Sequence, residues 1–332
     1  MKRVATGLLA VLSLGACERP APEPLTPAPR PEPVVVYASY EDQNYLPSLF
    51  AEFTRETGIP VSVRHRPEQQ IVNEVIEKRG SPPADMLLTR SVHGVWRAAD
   101  EGALRPLQSE KVASVVPDSL RGPDGYWTAI GFDTINVVCS AGNTRDCESV
   151  SMFDDLSEPE FQGQLCLSAP SLAVNRTLIA AMIADHGLRP AETLVRGWIK
   201  NLVLPPYDNE EALLQAVAAG KCRLAVVSGH AYREFGRPTV AAKWPQPGYF
   251  DVAAVGIGRH ARNPESARRL VEWLVGTDAQ TAQFEVTGLH PANPDIPGIS
   301  AASPVTARER NAAVFGLFET EAVKLAERAR WY

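Results

Sequence analysis

The chain has 332 residues, 45% of them hydrophobic and 22% charged, with a formal charge of −6. This composition excludes a disordered or collagen-like chain and leaves enough length for two core-forming units. The acidic residues are scattered and no basic face exists to neutralise a phosphate backbone, so nucleic acid is excluded as a partner.

The N-terminus has the layout of an export signal. Lys2 and Arg3 form a basic start, Val4 to Leu14 is an apolar stretch too short to span a bilayer, and Leu14-Gly15-Ala16-Cys17 places small residues before a cysteine. Residues 1–16 therefore read as a lipoprotein signal peptide, with Cys17 as the lipidated residue. An ordinary secretory signal with a chance cysteine is the alternative. Residues 17–33 follow as a tether: seven prolines fall within residues 20–33. Such a stretch favours extended polyproline II, about 40 Å long at about 3.1 Å per residue. The expected location is the periplasm, with a soluble body held to a membrane by its lipid.

From Val34 the chain alternates apolar runs with helical periodicity. Strands are expected at Val34–Tyr37, Val61–Arg64 and Asp85–Leu88, with helices at Leu46–Thr57 and Gln69–Arg79 between them. This βαβαβ order requires parallel pairing and right-handed crossovers, hence an open α/β sheet with helices on both faces. A second set follows. Strands are expected at Leu165–Leu167, Leu224–Val227 and Val252–Ile257, and helices at Leu172–His186, Ala191–Leu202, Asn209–Ala219 and Pro264–Val275. Thr306–Ala329 reads as a last long helical region. Trp96, Trp127, Trp198 and Trp273 fall in apolar contexts and read as packing residues.

Once Cys17 is set aside, four cysteines remain, and these allow three connectivities. Cys139 and Cys147 flank a short polar turn, while Cys166 and Cys222 each sit beside an apolar run. The expected disulfides are therefore Cys139–Cys147 and Cys166–Cys222. Zinc is the weaker alternative, because no CxxC occurs and the histidines show no ligand spacing around the cysteines.

Seven ordered stretches carry a family resemblance: VVVYASYEDQ with LFAEFTRETGIPVSV, SPPADMLLTRSVHGVWRAADEGALRPL, PDGYWTAIGFDTINVV, LCLSAPSLAVNRTLIAAMIADHG, ALLQAVAAGKCRLAVVSGHAYREF and LHPANPDIP. Together they resemble the periplasmic ferric-iron-binding proteins of ABC importers. The resemblance implies a two-lobed α/β type 2 periplasmic-binding-protein fold with hinge strands and an interlobe ligand cleft. Lobe 1 would comprise 34–131 plus 252–332 and lobe 2 would comprise 137–250, with the hinge near Ile135–Val138 and Val252–Val255. It also implies a monomer that binds a small molecule or ion and delivers it to an ABC permease in the inner membrane.

Ligands of open α/β sheets bind at the carboxyl ends of strands. The candidate contacts there are Ser39, Tyr40 and Glu41 after the first strand, Arg90 and Ser91 after the third, Asn175 in the loop beyond Ser168, and His230 and Tyr232 after Val227. The resemblance implies two adjacent tyrosines where this chain has His230-Ala231, and a third where it has Val174. A histidine of some members falls at Glu41, and an acidic residue at Arg90. Phenolates and a carboxylate suit Fe3+, whereas the replacements remove negative ligands and add a cation. The expected solute is therefore an organic or oxo-anion, with ferric iron or an iron complex on non-standard ligands as the alternative. An exported hydrolase using Ser228 and His230 is a remote third, since the two lie only two residues apart and no GxSxG elbow occurs. No cofactor is called for, because GxGxxG and GxxxxGK[ST] are both missing.

Overall fold

The computed structural model describes residues 32–39, 45–77, 84–297, 299 and 311–332. Residues 1–31, which hold the expected signal peptide and most of the expected tether with Cys17, and the candidate contacts Tyr40 and Glu41 lie outside the described residues. Among the described residues, ten strands form one sheet. They are β1 (Val34–Ala38), β2 (Val61–His65), β3 (Met86–Thr89), β4 (Leu104–Arg105), β5 (Trp127–Ser140), β6 (Leu165–Cys166), β7 (Leu224–Ser228), β8 (Val240–Lys243), β9 (Phe250–Gly258) and β10 (His290–Pro291). The main path runs β2-β1-β3-β9-β5-β7-β6.

The expected βαβαβ unit is present. β1 is buried along its whole length and pairs in parallel with β2 and with β3, as crossover helices require. Beyond β3 the sheet becomes mixed. β9 runs antiparallel to β3, with Leu88 opposite Val255, and antiparallel to β5, with Thr128 opposite Val255. β5 has 14 residues. Its first part pairs with β9 as far as Thr134, and from Ile135 onward it pairs with β7 and β8. One strand thus serves both halves of the sheet. This mixed α/β architecture is the one the resemblance implies.

The register of β5 against β9 shifts between Ala129 and Gly131. Such a bulge takes a backbone group out of the ladder. The Ile130 carbonyl accepts instead from the side-chain amides of Gln280 and Gln283, the latter at 2.9 Å. Gly131 belongs to the same device, because a Cβ there would lie 2.5 Å from the Gln283 amide and 3.1 Å from the His290 carbonyl. These glutamines explain a helix that apolar periodicity does not reveal, Thr277–Thr287. Its inner face is Ala279, Gln280, Gln283 and Thr287, while Val286 is 62% exposed. A further helix outside the expected set runs Val92–Asp100 and buries Val92, His93, Gly94, Val95 and Ala98.

The second helix runs Glu68–Ile76, and the last helical region divides at Phe318 into Ala313–Leu317 and Glu319–Arg328. Beyond it Trp331 is 1% exposed, edge-on to Trp198, and its indole donates to the Ser168 carbonyl at 3.0 Å.

Both expected disulfides are formed. The Cα atoms of Cys139 and Cys147 are 5.6 Å apart, and those of Cys166 and Cys222 are 5.8 Å apart. The first joins residues 8 apart and the second residues 56 apart. Cross-links restrict the unfolded chain more as the closed loop lengthens, giving about 2.5 kcal/mol for the short loop and about 4 kcal/mol for the long one. Removal of the second bridge by Cys166→Ala with Cys222→Ala is therefore expected to be the more costly, as read by the free energy of urea unfolding. Equal losses would show that the bridges act through native contacts rather than through the unfolded state.

Candidate functional site

A cavity of about 400 Å³ opens where the carboxyl ends of β1, β3 and β7 meet the crossing strands β5 and β9. The loop after β1 contributes Ser39 and the loop after β3 contributes Arg90. β5 supplies Asp133 and Ile135, β9 supplies Asp251, and the turn after β7 supplies Ser228, His230 and Ala231. Two helix starts complete the wall: Leu172–Val174 and Asn209–Glu211, with Phe235 beside them.

Backbone and hydroxyl donors fix the polar groups. Ser39 accepts from the Arg90 N–H at 3.0 Å and donates to Glu68 at 3.2 Å. Asp133 accepts the His230 N–H at 3.1 Å. Gly229 allows that approach, because a Cβ there would stand 2.5 Å from the Asp133 carboxylate. Glu210 accepts from both the N–H and the hydroxyl of Ser228, the latter at 3.1 Å. Asp251 accepts the Val92 N–H at 3.2 Å and the Val252 N–H at 2.8 Å.

These carboxyl groups are crowded and partly desolvated, which disfavours their charged forms. Burial, reinforced by the Asp133 charge, pushes Glu210 up to about 7 against the opposing Ser228 hydrogen bonds and Arg90. Burial and then the Asp251 charge push Glu68 up to about 7. Asp251 rises to about 6 through burial, opposed by its bonds from Val92 and Ser91. Asp133 is also raised by burial, with Arg90 the main opposing influence.

Of the sequence candidates, Ser39, Arg90 and His230 line the cavity. Three other candidates lie away from its wall. Ser91 is 1% exposed and caps the helix Val92–Asp100, accepting from the His93 N–H and bonding Asp251. Asn175 is fully buried and donates to the carbonyls of Ser168 and Ala169, tying the loop before its own helix. Tyr232 holds its ring 5.2 Å from the Arg237 guanidinium carbon. At the positions where the resemblance implies phenolates, His230, Ala231 and Val174 all face the cavity. The Ser228 hydroxyl donates to Glu210 and accepts the Ala231 N–H, which is the work of a helix cap.

Asp133, Glu210, Glu211 and Asp251 were not among the sequence candidates. Each has an ordinary local reading. Glu210 and Glu211 follow the Asn209 cap, where acids favour the helix dipole. The available signal was a single carboxylate inside each of two apolar strands, Asp133 in TAIGFDTINVV and Asp251 in YFDVAAVGIG. Among the described residues no group of three or more His, Cys, Asp or Glu is arranged to hold a metal ion, and no helix is long and apolar enough to cross a membrane.

The sign of the pH dependence follows from the raised carboxyl groups. Glu68 and Glu210 contribute stability that is present below their ordinary value of 4.5 and lost as pH rises through about 7. Glu210→Gln is expected to shrink the stability difference between pH 5 and pH 8 by on the order of 1–2 kcal/mol, measured by urea unfolding at the two pH values. An unchanged difference would mean that Glu210 is ionised throughout.

The profile of the family described as bacterial extracellular solute-binding protein matches residues 48–311. The chain is 25% identical to the iron uptake protein A1 of Synechocystis sp., over 94% of this chain and 88% of that one. It is 24% identical to the spermidine/putrescine-binding periplasmic protein of Escherichia coli, over 80% of this chain and 78% of that one. The solved structure of the Trichodesmium protein IdiA (FutA) in complex with iron and citrate superposes with a TM-score of 0.82 at 24% identity, covering 91% of this chain and all of that one.

Proposed function

The chain belongs to the bacterial extracellular solute-binding protein family, and from that premise we propose that it is a lipid-anchored periplasmic receptor that hands a small organic solute to an ABC permease. Its lipid is carried on Cys17 and residues 17–33 form the spacer. Lobe 1 is 34–131 plus 252–332 and lobe 2 is 137–250, turning on β5 and β9. The hand-over of β5 from β9 to β7 after Thr134 supports that hinge, because hinge closure about crossing segments is a common way to enclose a solute. The chain needs no chemistry of its own for this role, and its relatives are solute carriers.

One observation carries the choice of solute. His230, Ala231 and Val174 present an imidazole, a methyl and an isopropyl group to the cavity where the resemblance implies phenolates. These groups replace the phenolate oxygens that suit Fe3+ with an imidazole and two hydrocarbon groups. Ferric iron or an iron complex is the second reading. It is favoured by the names of the Synechocystis and Trichodesmium relatives and by the carboxylate oxygens of Asp133 and Glu210 in the wall.

Native mass spectrometry of the full chain, purified without added solute and paired with elemental analysis, separates the two. The expected result is a metal-free organic adduct or an empty chain. One iron per chain, with visible ligand-to-metal absorption, would overturn the organic reading.

A further inference from the structure

We infer that the cleft is built for an organic cation with an apolar portion, such as an alkylammonium, rather than for an anion. The inference rests on the receptor reading above and names the class of solute. Arg90 by itself argues for an anion, but the structure surrounds it with acids. Among the described residues, the wall holds four carboxyl groups, those of Asp133, Glu210, Glu211 and Asp251, and one guanidinium, that of Arg90. The charge of Arg90 already bears on Asp133 and Glu210. Arg233 approaches Asp133 from outside the wall, and the Asp251 carboxylate is held by backbone and hydroxyl donors. An entering anion would add to the repulsion among these carboxyl groups, whereas an entering cation would relieve it.

The apolar part of the wall is Ile135, Leu172, Val174, Ala231 and Phe235, beside the polar Ser39, Asn209, Ser228 and His230. Phe235 is 45% exposed, a large aromatic surface at a cavity. Apolar surface beside placed carboxylates is the pattern of a small-molecule pocket, and about 400 Å³ is far more than a bare ion fills. An aromatic face also attracts cations. The ammonium belongs beside Asp133 and Glu210, and the alkyl portion against Val174, Ala231 and Phe235.

The test sets two isosteric probe series against the full chain by titration calorimetry: linear alkylammonium ions from butyl to octyl, and the matching alkanoates. The ammonium series is expected to bind, with affinity rising about fourfold per methylene at about 0.8 kcal/mol each. Because a cation favours ionised carboxylates, binding should release protons and strengthen between pH 5.5 and 8. Glu210→Gln should lower ammonium affinity at least tenfold and reduce the proton release. Asp133→Asn is the second variant should Glu210→Gln unfold, as judged by circular dichroism. Binding of the alkanoates in preference, with proton uptake, would overturn the inference and leave the receptor reading standing. Binding of neither series would also overturn it. Iron in the purified chain would instead overturn the organic reading on which it rests.

Discussion

The fourteen residues of Trp127–Ser140 carry the hydrogen-bond ladders of both halves of the sheet. A strand in that position must satisfy two sets of partners whose registers need not agree. The β5–β9 register shifts at Ala129–Gly131, and the carbonyl freed there is taken up by Gln280 and Gln283. Downstream of that shift, Asp133 emerges into the cavity and Ile135 begins the pairing with β7. The placement of the principal carboxylate thus depends on two buried glutamines more than a hundred residues away in sequence.

Burying carboxyl groups is costly unless donors or cations compensate them. Here the compensation is incomplete by construction. Asp251 is tied by backbone N–H groups, Glu210 leans on Ser228, and Asp133 takes the His230 N–H with Arg90 nearby. The remaining imbalance is visible in the raised proton affinity of Glu210 and Asp251. A site of raised proton affinity favours a proton or another cation over an anion.

A second polar seam lies between the helix Val92–Asp100, the helix Ala173–His186 and the C-terminal helix. His93 pairs with Thr177 at 3.0 Å, Arg176 pairs with Glu319 at 3.0 Å, and burial holds His93 down to about 3, as a neutral imidazole. Trp331 then fixes the chain end onto the Ser168 loop. These bonds join elements from distant parts of the sequence into one packed body, with Trp331 in its core.

Wherever burial and chain direction are local properties, the amino-acid order decided the outcome. Apolar runs with turn signals at fixed spacing produce the parallel β1, β2 and β3 with their crossover helices. The flanking of Cys139 and Cys147 by one short turn, and of Cys166 and Cys222 by strands, anticipates both disulfides. Periodicity fails at Thr277–Thr287, because it counts hydrophobic burial and that helix buries glutamines to serve a distant carbonyl. It also cannot see the acidic wall, since Asp133, Glu210 and Asp251 each have an unremarkable local setting. Only the crossing of β5 and β9 beside the end of β7 brings the three together, and charge in a shared low-dielectric space is a property of that meeting rather than of any segment.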